Sequence, residues 1–158
     1  VLGGGMASRL FMELRERRGL CYQVGSYLSP YADTGALQVS ASCAPTQLRE
    51  LVKRSLAECE KVRARGVLAE ELERAKLQAR TSLVFGQESS ASRMFSMAHQ
   101  AIHLGGLRSL DTQVAEIDAV TLEDVRRAAQ TLLDPAQLGL SVLGSRRGCD
   151  IRPQDLVA

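Results

Sequence analysis

The sequence predicts an α+β fold, in which a small antiparallel sheet is covered on one face by several helices. Three observations predict it. Residues 20–28 alternate, with Leu20, Tyr22, Val24 and Ser26 against Cys21, Gln23, Gly25 and Tyr27. Residues 36–43 answer with Leu37, Val39, Ala41 and Cys43 on one face, across a turn cluster that includes Pro30, Asp33 and Gly35. Alternation on both sides of turn residues is the mark of a hairpin. From Pro45 to Leu132 the apolar residues recur instead at helical spacing.

The elements follow in order. Gly3-Gly4-Gly5 forms a turn, and Ser8 or a neighbour caps a first helix from about Met6 or Ser8 to Arg17, with a stripe of Met6, Leu10 and Leu14. Gly19 stops that helix. After the hairpin, Pro45 sits at a first-turn position, and Leu48, Leu51, Val52, Leu56, Cys59 and Val62 define a helix ending at Gly66. A second opens after Leu68 with Glu70, Glu71 and Glu73 in the favourable field of its N-terminus, and runs toward Gly86. A third spans about Ser89 to Leu104 and ends at Gly105-Gly106. A fourth runs from Ser109 through Ile117, and a fifth from a capped start at Thr121 to Leu132, closed by Asp134-Pro135. Residues 138–144 read as a last strand. Three strands are few for this much helix, and the glycine turn needs an element before it. The fold is therefore expected to lack its first strand and helix. One domain over 1–144 and a loose polar tail over 145–158 are expected.

Bulk properties narrow the partners. A chain of 158 residues is large enough to bury a core without disulfides or a structural metal. The net charge of +2 is close to balance, and basic and acidic residues are interspersed along the helices, which argues against a nucleic-acid surface. No apolar run approaches the ~20 residues of a membrane span. The four cysteines, Cys21, Cys43, Cys59 and Cys149, show no two-residue spacing of a zinc or redox motif. They are expected to be reduced and mostly buried, which suits a cytoplasmic location.

The chemistry concentrates near the start of the chain. Arg15 and Tyr22 lie seven apart across the break at Gly19, so a helix-to-strand turn can aim a guanidinium and a phenol at one place. That pair can hold an acyl oxygen or a peptide carbonyl. The plainer alternative pairs Arg15 with a helix glutamate and leaves Tyr22 at the sheet rim. His99 and His103 stand four apart on one helical face, but no third ligand is in view. They read as surface or half-buried side chains. Cys21, with no histidine near it in sequence, reads as a buried thiol rather than a nucleophile.

The run LGGGMASRLFMELRERRGLCYQVGSYLSPYADTGALQV closely resembles the inverzincin zinc peptidases, the pitrilysin and mitochondrial-processing-peptidase family. The runs GVLAEELERAKLQARTSLVFGQESSASRM and IDAVTLEDVRRAAQTLLDPAQLGLSVLG resemble later segments of the same domain, in the same order. The resemblance covers Leu2 to about Gly144 and is to the second, metal-free domain, which closes over substrate. It implies several things. Arg15 and Tyr22 match the substrate-contacting arginine and tyrosine. Zinc belongs to a His-x-x-Glu-His motif in another domain, and none is bound here. The partners are a peptide substrate and a catalytic N-terminal domain or partner subunit, and the chain alone is inactive. The start at Val1 reads as an internal cut. Uncovered sheet edges lead to an expected homodimer or higher oligomer. The alternative is an inactive partner or structural subunit of the same family, with a protein-interaction role.

Overall fold

A computed structural model of the chain describes residues 1–31, 33–144 and 151–152. The expected tail, 145–158, lies outside the described residues apart from Ile151 and Arg152, and so does Cys149. The α+β class holds. Its sheet is a two-stranded antiparallel hairpin of β1 (Gln23–Pro30) and β2 (Gly35–Ser42). Val24 lies opposite Ala41, Ser26 opposite Val39 and Leu28 opposite Leu37, which places the predicted face of β2 beside its partners on β1. The helices are α1 (Leu48–Arg65), α2 (Ala69–Gly86), α3 (Ser90–His103), α4 (Leu110–Ala119) and α5 (Leu122–Leu132).

The chain divides into two compact units, one comprising Val1–Val67 with the residues from Val125 onward, the other Leu68–Asp124. In the first unit the core gathers Leu10, Leu14, Cys21 and Leu51, with Val24 and Ala41 of the hairpin packed against it. Leu10 and Leu14 are fully buried. They are four apart on the first helix and so share a face, the predicted stripe. On α1 the buried residues are Leu51, Val52, Val62 and Glu58, and Gly66 closes the helix at a φ of 71°. A left-handed stop of that kind favours glycine.

In the second unit, α2 and α4 are tied by Asp118, whose backbone oxygen accepts from Lys76 Nζ at 2.9 Å and whose carboxylate meets Arg80 at 2.7 Å. The Ser89 hydroxyl caps α3 by accepting from the Ser92 amide, and the Ser109 hydroxyl caps α4 by accepting from Thr112. Buried Gln100 holds the connection after α3, its side-chain oxygen accepting from the Arg108 amide at 2.7 Å. Thr121 and Asp124 exchange the bonds of a capping box at the start of α5, as the sequence predicts.

Three local expectations need correcting. Residues 138–144 form no ladder. They line, with residues 36–43 of the β2 region and part of α1, a cavity of about 810 Å³. An alternating pattern becomes a strand only where a neighbour takes up its backbone groups. Tyr22 sits one residue before β1 rather than within it. Ser8 is buried, but its hydroxyl has no partner and caps nothing. Its backbone does the local work, with the amide donating to Gly5 O at 3.0 Å and the carbonyl accepting from Met12 at 2.9 Å.

Candidate functional site

The first helix widens as it approaches its end. Phe11–Glu16 is a π-helical turn, and the Arg17 amide donates to Met12 O, five residues back, at 3.0 Å. Such widened turns are short, rare and frequent at functional sites. Phe11 and Arg15, four apart, share a face of this turn. Gly19 then reverses the chain at a φ of 60°, its amide donating to Arg15 O at 3.0 Å and the Leu20 amide to Leu14 O at 2.8 Å. A side chain at residue 19 would strain that turn. Three residues on, the chain delivers Tyr22.

The result is a compact corner. The Arg15 guanidinium carbon lies 4.7 Å from the centroid of the Phe11 ring and 4.7 Å from that of Tyr22. Both are within the range of an attractive cation–ring contact. Arg15 Nε is 3.7 Å from a Glu16 carboxylate oxygen, a loose pair on an exposed partner. Tyr22 is 76% exposed, so its hydroxyl is accessible. The structure thus brings together the two residues the sequence singles out, and adds Phe11, which sequence reasoning missed. The signal was present: an aromatic four residues before an arginine, on the same helix face.

Glu13, also missed, anchors the corner from within. It is buried, and it binds Arg18 Nε at 2.6 Å and Arg17 at 3.5 Å. The Arg18 hydrogen bond holds its carboxyl below the usual carboxylate range, against the opposing effect of burial. With Glu13 committed to Arg17 and Arg18, Arg15 is left to the two rings and Glu16.

The other candidates stay apart from this corner. The His99 and His103 rings, both exposed on α3, lie 4.6 Å apart and tilted. No group of three or more His, Cys, Asp or Glu able to hold a metal exists among the described residues, so they do not fit zinc. Cys21 is buried, and burial pushes its thiol up. Burial also pushes Cys59 up to about 11, which keeps it a thiol at neutral pH. No described helix is long and apolar enough to cross a membrane.

Fold and corner define an α+β domain that brings an arginine and an exposed tyrosine together at a helix-to-strand turn. Residues 1–79 match the model of the peptidase M16 inactive domain. The chain belongs to that family, as the resemblance implies. An uncharacterised zinc protease of Mycobacterium tuberculosis is 39% identical over 158 residues, covering all of this chain and 36% of its own length. One from Streptomyces coelicolor is 40% identical over 144 residues, covering 91% of this chain and 31% of its own length. The chain therefore spans about a third of the length of the curated relatives it matches. Among solved structures, an M16 inactive domain from Pseudomonas fluorescens superposes with a TM-score of 0.75 at 24% identity, over 85% of this chain and 32% of that one. A chain of Candida albicans complex III superposes with a TM-score of 0.69 at 20% identity, over 83% of this chain and 31% of that one. Both show the shared fold.

Proposed function

We propose that this chain is the substrate-gripping half of a zinc-dependent endopeptidase, with Arg15 and Tyr22 as its working residues. The single observation that carries the reading is the shared corner, a guanidinium 4.7 Å from the ring of an exposed tyrosine at a glycine-turned helix end. A peptide carbonyl entering there meets two donors of different kinds. The guanidinium offers a charge-assisted N–H, and the phenol offers an O–H. Donors fixed before the reaction stabilise negative charge that develops on the carbonyl oxygen as the peptide bond is attacked, and they do so without reorganising. Removing one such donor typically lowers turnover by about a hundredfold or more.

The described residues do not fit zinc, so the metal and the hydrolytic water are assigned to the rest of the full-length protein, which acts as this chain's obligatory partner. The names of the curated relatives as zinc proteases support that assignment. Reduced cysteines support a cytoplasmic setting: among the described residues no disulfide forms. The uncovered side of β2 supports self-association of the chain on its own, as a homodimer.

A second reading rests on the likeness to a chain of complex III. In that reading the domain is an inactive partner or structural subunit with an interaction role. The two readings part in one experiment. In the full-length protein, Arg15→Ala and Tyr22→Phe should each lower turnover of a fluorogenic peptide while bound zinc, measured by atomic emission, stays at wild-type content. Wild-type turnover in both variants would favour the structural reading. Loss of zinc in either would make its role architectural.

A further inference from the structure

We propose that Phe11 is the positioning residue for Arg15, its ring holding the guanidinium beside the exposed Tyr22. The inference rests on the substrate-gripping role of Arg15 and goes beyond it by naming what aims the side chain. An arginine at a helix end has several rotatable bonds and loses them only at a cost in entropy. Two features remove that freedom here. The Phe11 ring, one turn back on the π-helical segment and half-buried, lies 4.7 Å from the guanidinium carbon. The Tyr22 ring lies at the same distance on the chain that returns past Gly19.

The two rings are not equivalent. Tyr22 is 76% exposed, and it carries a hydroxyl with its own task. Phe11 has no polar atom and is rooted in the turn that carries Arg15. It is therefore the fixed side of the pair. A guanidinium presents its N–H donors in a fixed plane, which suits a carbonyl oxygen as a single acceptor or a carboxylate, whose two oxygens can accept two parallel bonds. The ammonium of a lysine would have neither that plane nor the same fit to a ring. Glu16 lies 3.7 Å from Nε.

The test uses the full-length, zinc-loaded protein with a fluorogenic peptide mixture as probe. Selective 15N-arginine labelling adds a readout that needs no turnover. Phe11→Leu should lower kcat roughly tenfold with KM nearly unchanged, the size expected from one partly desolvated cation–ring contact. The same variant should reduce the ring-current displacement of the Arg15 Nε–H resonance to the part that the Tyr22 ring supplies. Phe11→Tyr should keep both near wild type, and Arg15→Lys should lower the rate as Arg15→Ala does. If Phe11→Leu keeps the wild-type kcat while Arg15→Ala loses it, the positioning role is overturned and the function of Arg15 stands. If kcat falls in Phe11→Leu with the Arg15 resonance displaced as far as in wild type, the effect is general to the fold and the proposal is again overturned. If Arg15→Ala cleaves like wild type, or wild type cleaves nothing, the substrate-gripping reading fails and takes this one with it.

Discussion

Along the outer side of β1 the chain meets its own backbone: the Ser26 amide donates to Gly3 O at 3.0 Å, and the Leu2 carbonyl accepts from Leu10 at 2.9 Å. β2, unpaired on its other side among the described residues, lines a cavity of about 810 Å³ together with residues of α1 and residues 138–144. The two sides of one hairpin differ in where their partners lie in sequence. The N-terminal segment, first helix and β1 are contiguous within 30 residues, so each finds its neighbour locally. The 138–144 segment is nearly 100 residues from β2, and its Leu138, Leu140 and Val142 remain 42%, 41% and 47% exposed. Chemistry follows the same division, because the arginine, its rings and the buried carboxylate all belong to the locally closed side.

The comparison is broken most directly at Leu14. Its side chain is fully buried at the meeting of the first helix, α1 and the hairpin. Leu14→Ala should destabilise by about 2–5 kcal/mol, transfer and cavity terms together, measured by urea unfolding. A loss under about 1 kcal/mol would show that the tightly closed side collapses as readily as the open one.

Next in size is Gly3. A Cβ there would lie 2.5 Å from the Ser26 amide nitrogen and 2.9 Å from the Ser26 side chain. Backbone must shift to admit it. Gly3→Ala should cost about 1–3 kcal/mol by overpacking, and the Ser26 amide should lose its protection from hydrogen exchange. Retained protection would mean that the chain, not the glycine, sets this pairing.

Glu13 sharpens the electrostatic side of the contrast. Its carboxyl sits below the ordinary 4.5, chiefly through the Arg18 bond, so it holds fewer protons folded than unfolded at mildly acid pH. Its contribution to stability is therefore complete above about pH 4.5 and is lost as pH falls through the lower, folded value. Glu13→Gln should cost about 1 kcal/mol at pH 7. The gap between variant and wild type should narrow steadily on acidification. A gap independent of pH would assign the effect to packing.

The same division explains what could be read from the sequence. Elements with local signals were legible: the glycine stops at Gly19 and Gly66, the Thr121–Asp124 box and the buried stripe of α1 fall where the pattern puts them. Arg15 and Tyr22 were legible as a pair because Gly19 alone turns one toward the other. The width of the first helix was not. An i→i+5 turn differs from an α-turn by one hydrogen bond, and the residues that favour it are the same apolar and charged ones. Phe11 was legible in principle, four residues before Arg15 on the same face, and the ring contact itself is what the structure adds. The exposed 138–144 segment was misjudged for a different reason. Its alternation is a statement about a partner, and periodicity carries no information about whether the partner is present.

The smallest effect is expected at that segment, and it is the one that separates the chain on its own from the full-length protein. Val142 is 47% exposed at the rim of the cavity, so Val142→Ala removes two methyl groups that are only partly withdrawn from water. In the isolated chain the change should stay within about 0.5 kcal/mol by thermal unfolding, as at an ordinary surface position. In a protein three times as long, such as the curated relatives, an apolar row beside an unpaired strand edge invites cover. There the same substitution should cost about 1 kcal/mol, the value of partly emptying a packed site. Equal and negligible costs in both would mean that the open side of the hairpin stays open in the whole molecule, and that the asymmetry between its two edges is a property of the domain itself.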